Sequence, residues 1–289
     1  MDVPRFLLLL VAAFSCKVAA WGDVGHIVTC LIAESFFKAP TQNAVTDLLS
    51  ATGLNFSQSC TWADQVKRSY AYRWSAPLHF ADTPDNVCGY DDERDCHYFG
   101  AKNVCITAAI YNYTSQLEHQ HNVTYNLTEA LMFLAHFLGD IHQPMHLGFL
   151  GDLGGNTILL TWYNRSSNLH RVWDSDIINK TLERFYAGSI ASMEHDIKKS
   201  ITVNNLVAIS SQWGHCPGEE FTCPVRYAKE SIKFACASGY KDAPQNSTLA
   251  DAYFETRWPI VKLLLARAGV RLANTLNKVL DKLVNIVHE

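Results

Sequence analysis

The sequence predicts a mainly α-helical single domain with a small amount of β structure. Three observations predict it. Apolar residues recur at helical spacing in several long stretches, one run alone is strongly β-prone, and no Pro- or Ser-rich linker divides the 289 residues. A hydrophobic fraction of 48% supports a sizeable core, and a charged fraction of only 18% argues against a disordered chain. No collagen triplet, heptad array or longer repeat is present. The net charge of −4 excludes a nucleic-acid binder that works through a broad basic surface.

Residues 1–20 read as an export signal rather than as part of the fold. Arg5 precedes nine apolar residues, Phe6 to Phe14, and the small-residue run Val18-Ala19-Ala20 predicts cleavage after Ala20. Nine residues are too few to span a bilayer, and no later stretch looks membrane-spanning, so no stable membrane association is expected. The expected route is the secretory pathway, ending in a secreted or vacuolar protein. Removing Asp2, Arg5, Cys16 and Lys17 with the signal leaves a net charge of −5 and eight Cys, an even number that in an exported chain reads as four disulfides. Short spacing suggests the local loops Cys96–Cys105 and Cys216–Cys223; spacing leaves the other pairings open. Sequons at Asn55, Asn112, Asn122, Asn126, Asn164, Asn179 and Asn246 fit the same route, and three of them within 112–128 predict an exposed, glycan-bearing surface there.

The elements follow in order. Residues 25–38 carry Ile27, Leu31, Ile32 and Phe36 at helical spacing. Residues 40–50 form a second helix, with Pro40 near its start and Gly53 past its end. Residues 83–105 are loop-like, rich in Asp and Cys. Thr128 can cap a helix that runs to Gly139 and buries Leu131, Leu134, Ala135 and Leu138, and Gln143-Pro144 ends it. Residues 157–163 are β-prone and follow Gly154-Gly155. The last segment, 258–287, aligns Leu272, Leu276, Val279, Leu280, Leu283 and Val287 in one stripe, as a packed terminal helix does.

Several His and Asp residues stand at ligand-like spacings. His136 and Asp140 are i,i+4 on one helix face, and His170 and Asp174 repeat that spacing. His146 follows the Pro144 turn, and Asp64 precedes His79 by fifteen residues. Imidazole nitrogen and carboxylate oxygen are zinc ligands, and an ion needs three or four. Cleavage after Ala20 would add Trp21-Gly22-Asp23-Val24-Gly25-His26, whose free α-amine loses its proton easily to a metal. His142 would point to another face and reads as structural. His97, His119, His121, His195, His215 and His288 show no such logic and read as surface or core residues.

In order and spacing, WGDVGH (21–26), WADQVK (62–67), SAPLHFADTP (75–84), HFLGDIHQPMH (136–146), GGNTI (154–158) and NLHRVWD (168–174) resemble the motifs of the S1/P1 nuclease family in its plant branch, secreted endonucleases with three zinc ions. The resemblance covers essentially all of 21–289. It implies a helical fold shared with zinc phospholipase C, and the disulfides Cys30–Cys60, Cys88–Cys236, Cys96–Cys105 and Cys216–Cys223. It also implies that Asp64, His79, His136 and Asp140 hold one zinc and that His146, His170 and Asp174 hold a second. Trp21, through its amine and carbonyl, would hold the third with His26 and Asp140, and Asp140 would bridge two ions.

The implied activity is hydrolysis of single-stranded DNA and RNA to 5′-phosphate products, with 3′-nucleotidase activity, by a monomer. Asp64 would orient the attacking water, Lys67 would meet transition-state charge, and Asn156 would hydrogen-bond a phosphate oxygen. Phe80 would stack on a base, with Asp82 at the base edge. A stacked base must be splayed out, hence the single-strand preference. The alternatives are a zinc phospholipase C-like phosphodiesterase, which Phe80 and Asp82 disfavour, and a non-catalytic secreted metal-binding glycoprotein, which the complete ligand set disfavours.

Overall fold

The computed structural model describes residues 21–119, 124–203, 212–218 and 220–286. The export signal, Asn122, His121 and His288 therefore lie outside the described residues. The fold is helical, as expected, and its first two helices show why local pattern misjudges boundaries. Helix α1 runs Asp23–Glu34 and stops four residues before the predicted end. Helix α2 spans Ala39–Leu49 with Pro40 in its first turn. Proline has no N–H to continue an incoming helix, so the chain must break between the two.

Two short helices follow, α3 (Phe56–Ser59) and α4 (Trp62–Val66), and then a 3₁₀ turn, Arg73–His79. The stretch predicted as loop contains the one-turn helix α5 (Asp92–Asp95) and a small hairpin, β1 (His97–Tyr98) with β2 (Ala101–Lys102). The Cys96–Cys105 disulfide closes that hairpin at its base, so a covalent link supplies what a polar sequence run does not.

Helix α6 is Ile106–Glu118 and α7 is Leu127–Asp140. Thr128 does not cap α7. Asn126 does, its side chain accepting from the Glu129 N–H, while the Thr128 hydroxyl donates to the Leu48 carbonyl at the end of α2. Beyond the 3₁₀ turn Pro144–Leu147, the β-prone run is trimmed to β3 (Leu159–Trp162). It pairs antiparallel with β4 (Arg165–Asn168) and parallel with β5 (Thr248–Leu249).

Helix α8 (Leu169–Arg171) passes through a π-turn, Val172–Asp176, into α9 (Ile177–Tyr186). Next come α10 (Ile190–Val203), α11 (Pro224–Phe234) and the long α12 (Asp251–Ile286). The last begins seven residues earlier than predicted. Pro259 sits on its exposed side, while Tyr253, Phe254 and Val261 are buried and hold the preceding turns in place. Leu272, Leu276, Val279 and Leu280 form the predicted buried stripe; the side chain of Leu283 and all of Val287 lie outside the described residues.

Helix α12 packs along α1, α2, α6 and α7. At Gly269 the approach to α1 is so close that a Cβ would stand 2.5 Å from Ile32. The core between them is aromatic as well as aliphatic, with Trp21, Trp162, Trp173, Phe133 and Phe137 all buried. All four disulfides have the expected pairing. Among the described residues no helix is long and apolar enough to cross a membrane, and Asn55, Asn112, Asn126, Asn164, Asn179 and Asn246 are all exposed.

Candidate metal centre

Eight His and Asp side chains from seven separate elements converge at the C-terminal end of α7. His26 comes from α1, Asp64 from α4, His79 from the end of the first 3₁₀ turn, and His136 and Asp140 from α7. His146 lies in the second 3₁₀ turn, His170 in α8 and Asp174 in the π-turn. π-turns recur at functional sites, where they widen a helix to re-aim a side chain. Except for Asp64, which is slightly open, all are buried.

They form two groups. In the first, Asp140 Oδ2 is 3.0 Å from His79 Nδ1 and 3.1 Å from His136 Nε2, and its other oxygen, Oδ1, is 3.1 Å from His26 Nε2. Asp64 Oδ1 stands 3.5 Å from both His79 Nδ1 and His136 Nε2. In the second, Asp174 is 3.6 Å from His146 Nε2 and 3.3 Å from His170 Nε2. His146 Nδ1 lies 3.9 Å from Asp140 Oδ1, so the groups are neighbours.

The imidazoles are aimed from behind. His136, His146 and His170 each turn Nδ1 to a main-chain carbonyl at 2.7 Å, of Cys60, His79 and Gly154 respectively, which leaves Nε2 facing inward. Such a bond fixes the tautomer of a metal-ligating histidine. The Gly154 carbonyl is delivered by two buried glycines at φ +61° and +81°; a Cβ on Gly154 would meet the Met145 carbonyl oxygen at 2.3 Å.

The donor set fits a divalent metal ion. Nε2 of His26, Oδ2 of Asp64, Oδ1 of Asp140 and Nε2 of His146 are buried and make no hydrogen bond, an expensive arrangement unless a cation satisfies them. Ligands bound at ~2.0–2.2 Å in a tetrahedron stand about 3.3–3.6 Å apart, close to the spacings here. The electrostatics of the cluster point the same way. Burial and the Lys67 charge push His79 down to about 3, whereas Asp140 and Asp64 overcome burial to hold His136 up to about 10. Asp140, despite burial, is kept well below the usual carboxylate range by His136, His146 and His26. Ionised carboxylates thus surround a position that favours positive charge, and a metal ion held there would take the place of a proton. A further grouping, Asp92 with Cys96 and Cys105, cannot ligate through sulfur, because both sulfurs are in a disulfide.

Beside the cluster opens a cavity of about 940 Å³, lined by Lys67, His79, Phe80, Asp82, His146, Asn156 and His170 among others. All four sequence-predicted substrate contacts reach it. Lys67 Nζ donates to Asp64 Oδ1, and the Asn156 amide donates to the Leu153 carbonyl at 2.8 Å. Burial pushes Asp82 up to about 7. Trp21 is fully buried, its indole N–H on the Gly139 carbonyl, and the Gly22 N–H donates to the Asp174 carbonyl at 2.7 Å. Residue 21 therefore lies between the end of α7 and the π-turn.

Two residues hold places that their sequence reading did not assign, and a third fits its reading. Gln143, read as a helix terminator, donates through its side chain to Asp174 and accepts from the Met145 N–H; its only sequence signal is its place between Asp140 and His146. His97, read as surface or core, lines the cavity. His142 is structural, as expected: Nδ1–H donates to Leu138 and Nε2 accepts from Arg271. His119, His195 and His215 are exposed.

The S1/P1 Nuclease family profile matches residues 21–281. Endonuclease 3 of Arabidopsis thaliana is 47% identical over 266 residues, which span 90% of this chain and 88% of the relative. Endonuclease 1 of the same plant is 45% identical, spanning 95% and 93%. Nuclease P1 of Penicillium citrinum is 30% identical, spanning 90% and 97%. On that match and on those relatives, the chain belongs to the S1/P1 nuclease family, as a plant-type member and a hydrolase acting on nucleic acid.

Proposed function

We propose that the protein is a secreted, zinc-dependent endonuclease that cuts single-stranded DNA and RNA to 5′-phosphate products and also removes phosphate from 3′-nucleotides. The observation that carries this reading is the division of Asp140, one oxygen toward His79 and His136 and the other toward His26, beside a cavity walled by Phe80 and Asp82. A carboxylate that faces two sets of imidazoles suits a bridge between two ions. In this reading Asp64, His79, His136 and Asp140 hold one zinc, and His146, His170 and Asp174 a second. Trp21, through its amine and carbonyl after cleavage at Ala20, holds the third with His26 and Asp140. Bound zinc supplies Lewis-acid polarisation of the phosphate and activation of water near neutral pH.

The chain's own residues do the positioning. The Asp64 carboxyl is buried, yet His136 and Lys67 keep it far below the usual carboxylate range. Its unpaired Oδ2 is placed to orient an attacking water. Lys67, held on Asp64, presents its ammonium to the charge that grows on the phosphoryl oxygens. Asn156 keeps a second amide hydrogen for a phosphate oxygen. Phe80 stacks on a splayed base and Asp82 meets its polar edge. Both proposed reactions break the same P–O3′ bond, so one site serves them.

The test is metal analysis of protein beginning at Trp21, together with a single-strand cleavage assay that identifies the product ends. Three zinc ions per chain and 5′-phosphate ends are expected. His136→Ala should lose zinc and at least ~10³-fold in rate. Full activity in metal-stripped protein sinks the zinc reading, and hydrolysis of phosphatidylcholine but not of DNA sinks the substrate.

A further inference from the structure

One wall of the cavity is formed by the β1–β2 hairpin, through His97, Tyr98, Phe99 and Gly100. Its two-residue turn is Phe99-Gly100, at φ +45° and +83°. A turn with positive φ at both central residues favours Asn-Gly, because a bulky side chain in the left-handed region is strained. Phenylalanine is thus a poor choice for the turn. It also gains nothing from the core, for Phe99 is 95% exposed. Two unfavourable features at one residue, with no return in packing, point to a role in binding.

The ring is not isolated. Phe80 stands edge-on to Tyr98 at 6.2 Å between centroids, and Tyr98 to Phe99 at 4.6 Å. The three aromatics lead from the ligand His79 outward to the cavity mouth. Their relative positions are held by the main chain: the Ile106 N–H donates to the Phe80 carbonyl, and the preceding residue, Cys105, is disulfide-bonded to Cys96 at the base of the hairpin. Lys67, Arg68 and Arg94 line the same cavity, Lys67 paired with Asp64 and Arg94 with Asp95. A volume of about 940 Å³ lies at the upper end of single-ligand pockets, which leaves space for more than one nucleotide.

Resting on the nuclease reading, we propose that Phe99, backed by Tyr98, is a second stacking platform that takes the base of a neighbouring nucleotide when Phe80 holds one. Stacking accepts any base, so the platform favours longer single strands without selecting their sequence.

The experiment compares kcat/KM on a dinucleotide and on a tetranucleotide. The native protein gains efficiency with length, and Phe99→Asn loses about tenfold of that gain, as expected for removal of one base-stacking contact. Asparagine suits the turn better than phenylalanine, so the thermal midpoint of Phe99→Asn stays at or above that of the native protein, and misfolding is not an explanation. Phe99→Trp retains the gain. The platform is overturned if Phe99→Asn keeps the full gain, if Phe99→Trp is as poor as Phe99→Asn, or if the native protein cuts both substrates equally well. A native protein that cuts neither substrate overturns the nuclease reading, and the platform with it.

Discussion

Gly139 precedes Asp140, and close packing leaves no room there for a side chain. A Cβ there would stand 2.8 Å from the His26 ring nitrogen. Gly139→Ala should therefore push His26 off Asp140 and lower zinc content and rate at least tenfold, with the helix itself no weaker, because alanine is the better helix former. Gln143 acts through Asp174, which its amide holds. Gln143→Leu should cost about 10–100-fold in zinc affinity, the usual effect of removing a group that orients a ligand, and metal titration by calorimetry would measure it. The residue scale also separates what was legible from what was not. The His-Asp pairs showed themselves by spacing. Gln143 did not, because a hydrogen bond to a residue thirty-one positions away leaves no local periodicity.

Elements depend on contacts of the same kind. Helix α7 is capped by Asn126, a sequon residue whose Oδ1 accepts from the Glu129 N–H. A glycan joins the amide nitrogen and leaves that oxygen free. Asn126→Asp should keep the cap and lose any glycan, whereas Asn126→Ala should lose the cap as well and about 1 kcal/mol of stability, measured by denaturant titration. Helices α11 and α12 meet at a buried cation. Arg271 donates to Glu230 Oε2 at 2.6 Å, to the Trp213 carbonyl and to His142 Nε2, and lies over the Tyr227 ring. Burial alone would raise the Glu230 carboxyl, but Arg271 and Arg226 hold it below its ordinary 4.5. A depressed carboxyl stabilises the fold above its unfolded pKa and loses that contribution as pH falls through 4.5 and below. Glu230→Gln should therefore cost about 2 kcal/mol at pH 7, less than for a fully enclosed pair, and the gap to the native protein should close towards pH 3. Arg271 was invisible in the sequence, because it lies on the same apolar helix as Leu272 and Leu276 and only the approach of α11 gives it a partner.

At the scale of the whole molecule, two long-range ties hold the site. Cys88–Cys236 joins the loop beyond Asp82 to the end of α11 across 148 residues. Replacing both cysteines by alanine should cost ~5 kcal/mol, the loop-entropy value for so long a span, and lower the thermal midpoint by roughly ten degrees. The other tie is the start of the chain as processed in the proposed reading. Trp21 is buried against Gly139, and Gly22 bonds to Asp174. One extra residue before Trp21 should leave the fold intact, with unchanged circular dichroism, yet abolish the proposed amine ligand. Normal zinc content and rate in the extended protein would refute that ligand.

By itself the sequence determined the helical class and the covalent framework of eight cysteines, and its family motifs named the candidate His and Asp donors. The first two are matters of residue type and local period, 3.6-residue recurrence and even cysteine number; of the donors, only the two i,i+4 His-Asp pairs show in the spacing. Only the tertiary structure decided how those donors share one place, which carbonyls aim them, and that Asp140 turns its two oxygens to different partners. Those facts depend on separations of tens of residues closed by packing. The mild negative charge of the chain, read alone, gave no hint of where an anionic polymer would sit. The fold answers by burying carboxylates and imidazoles around one point, where the proposed metal charge would gather, and by setting aromatic rings along the way to it.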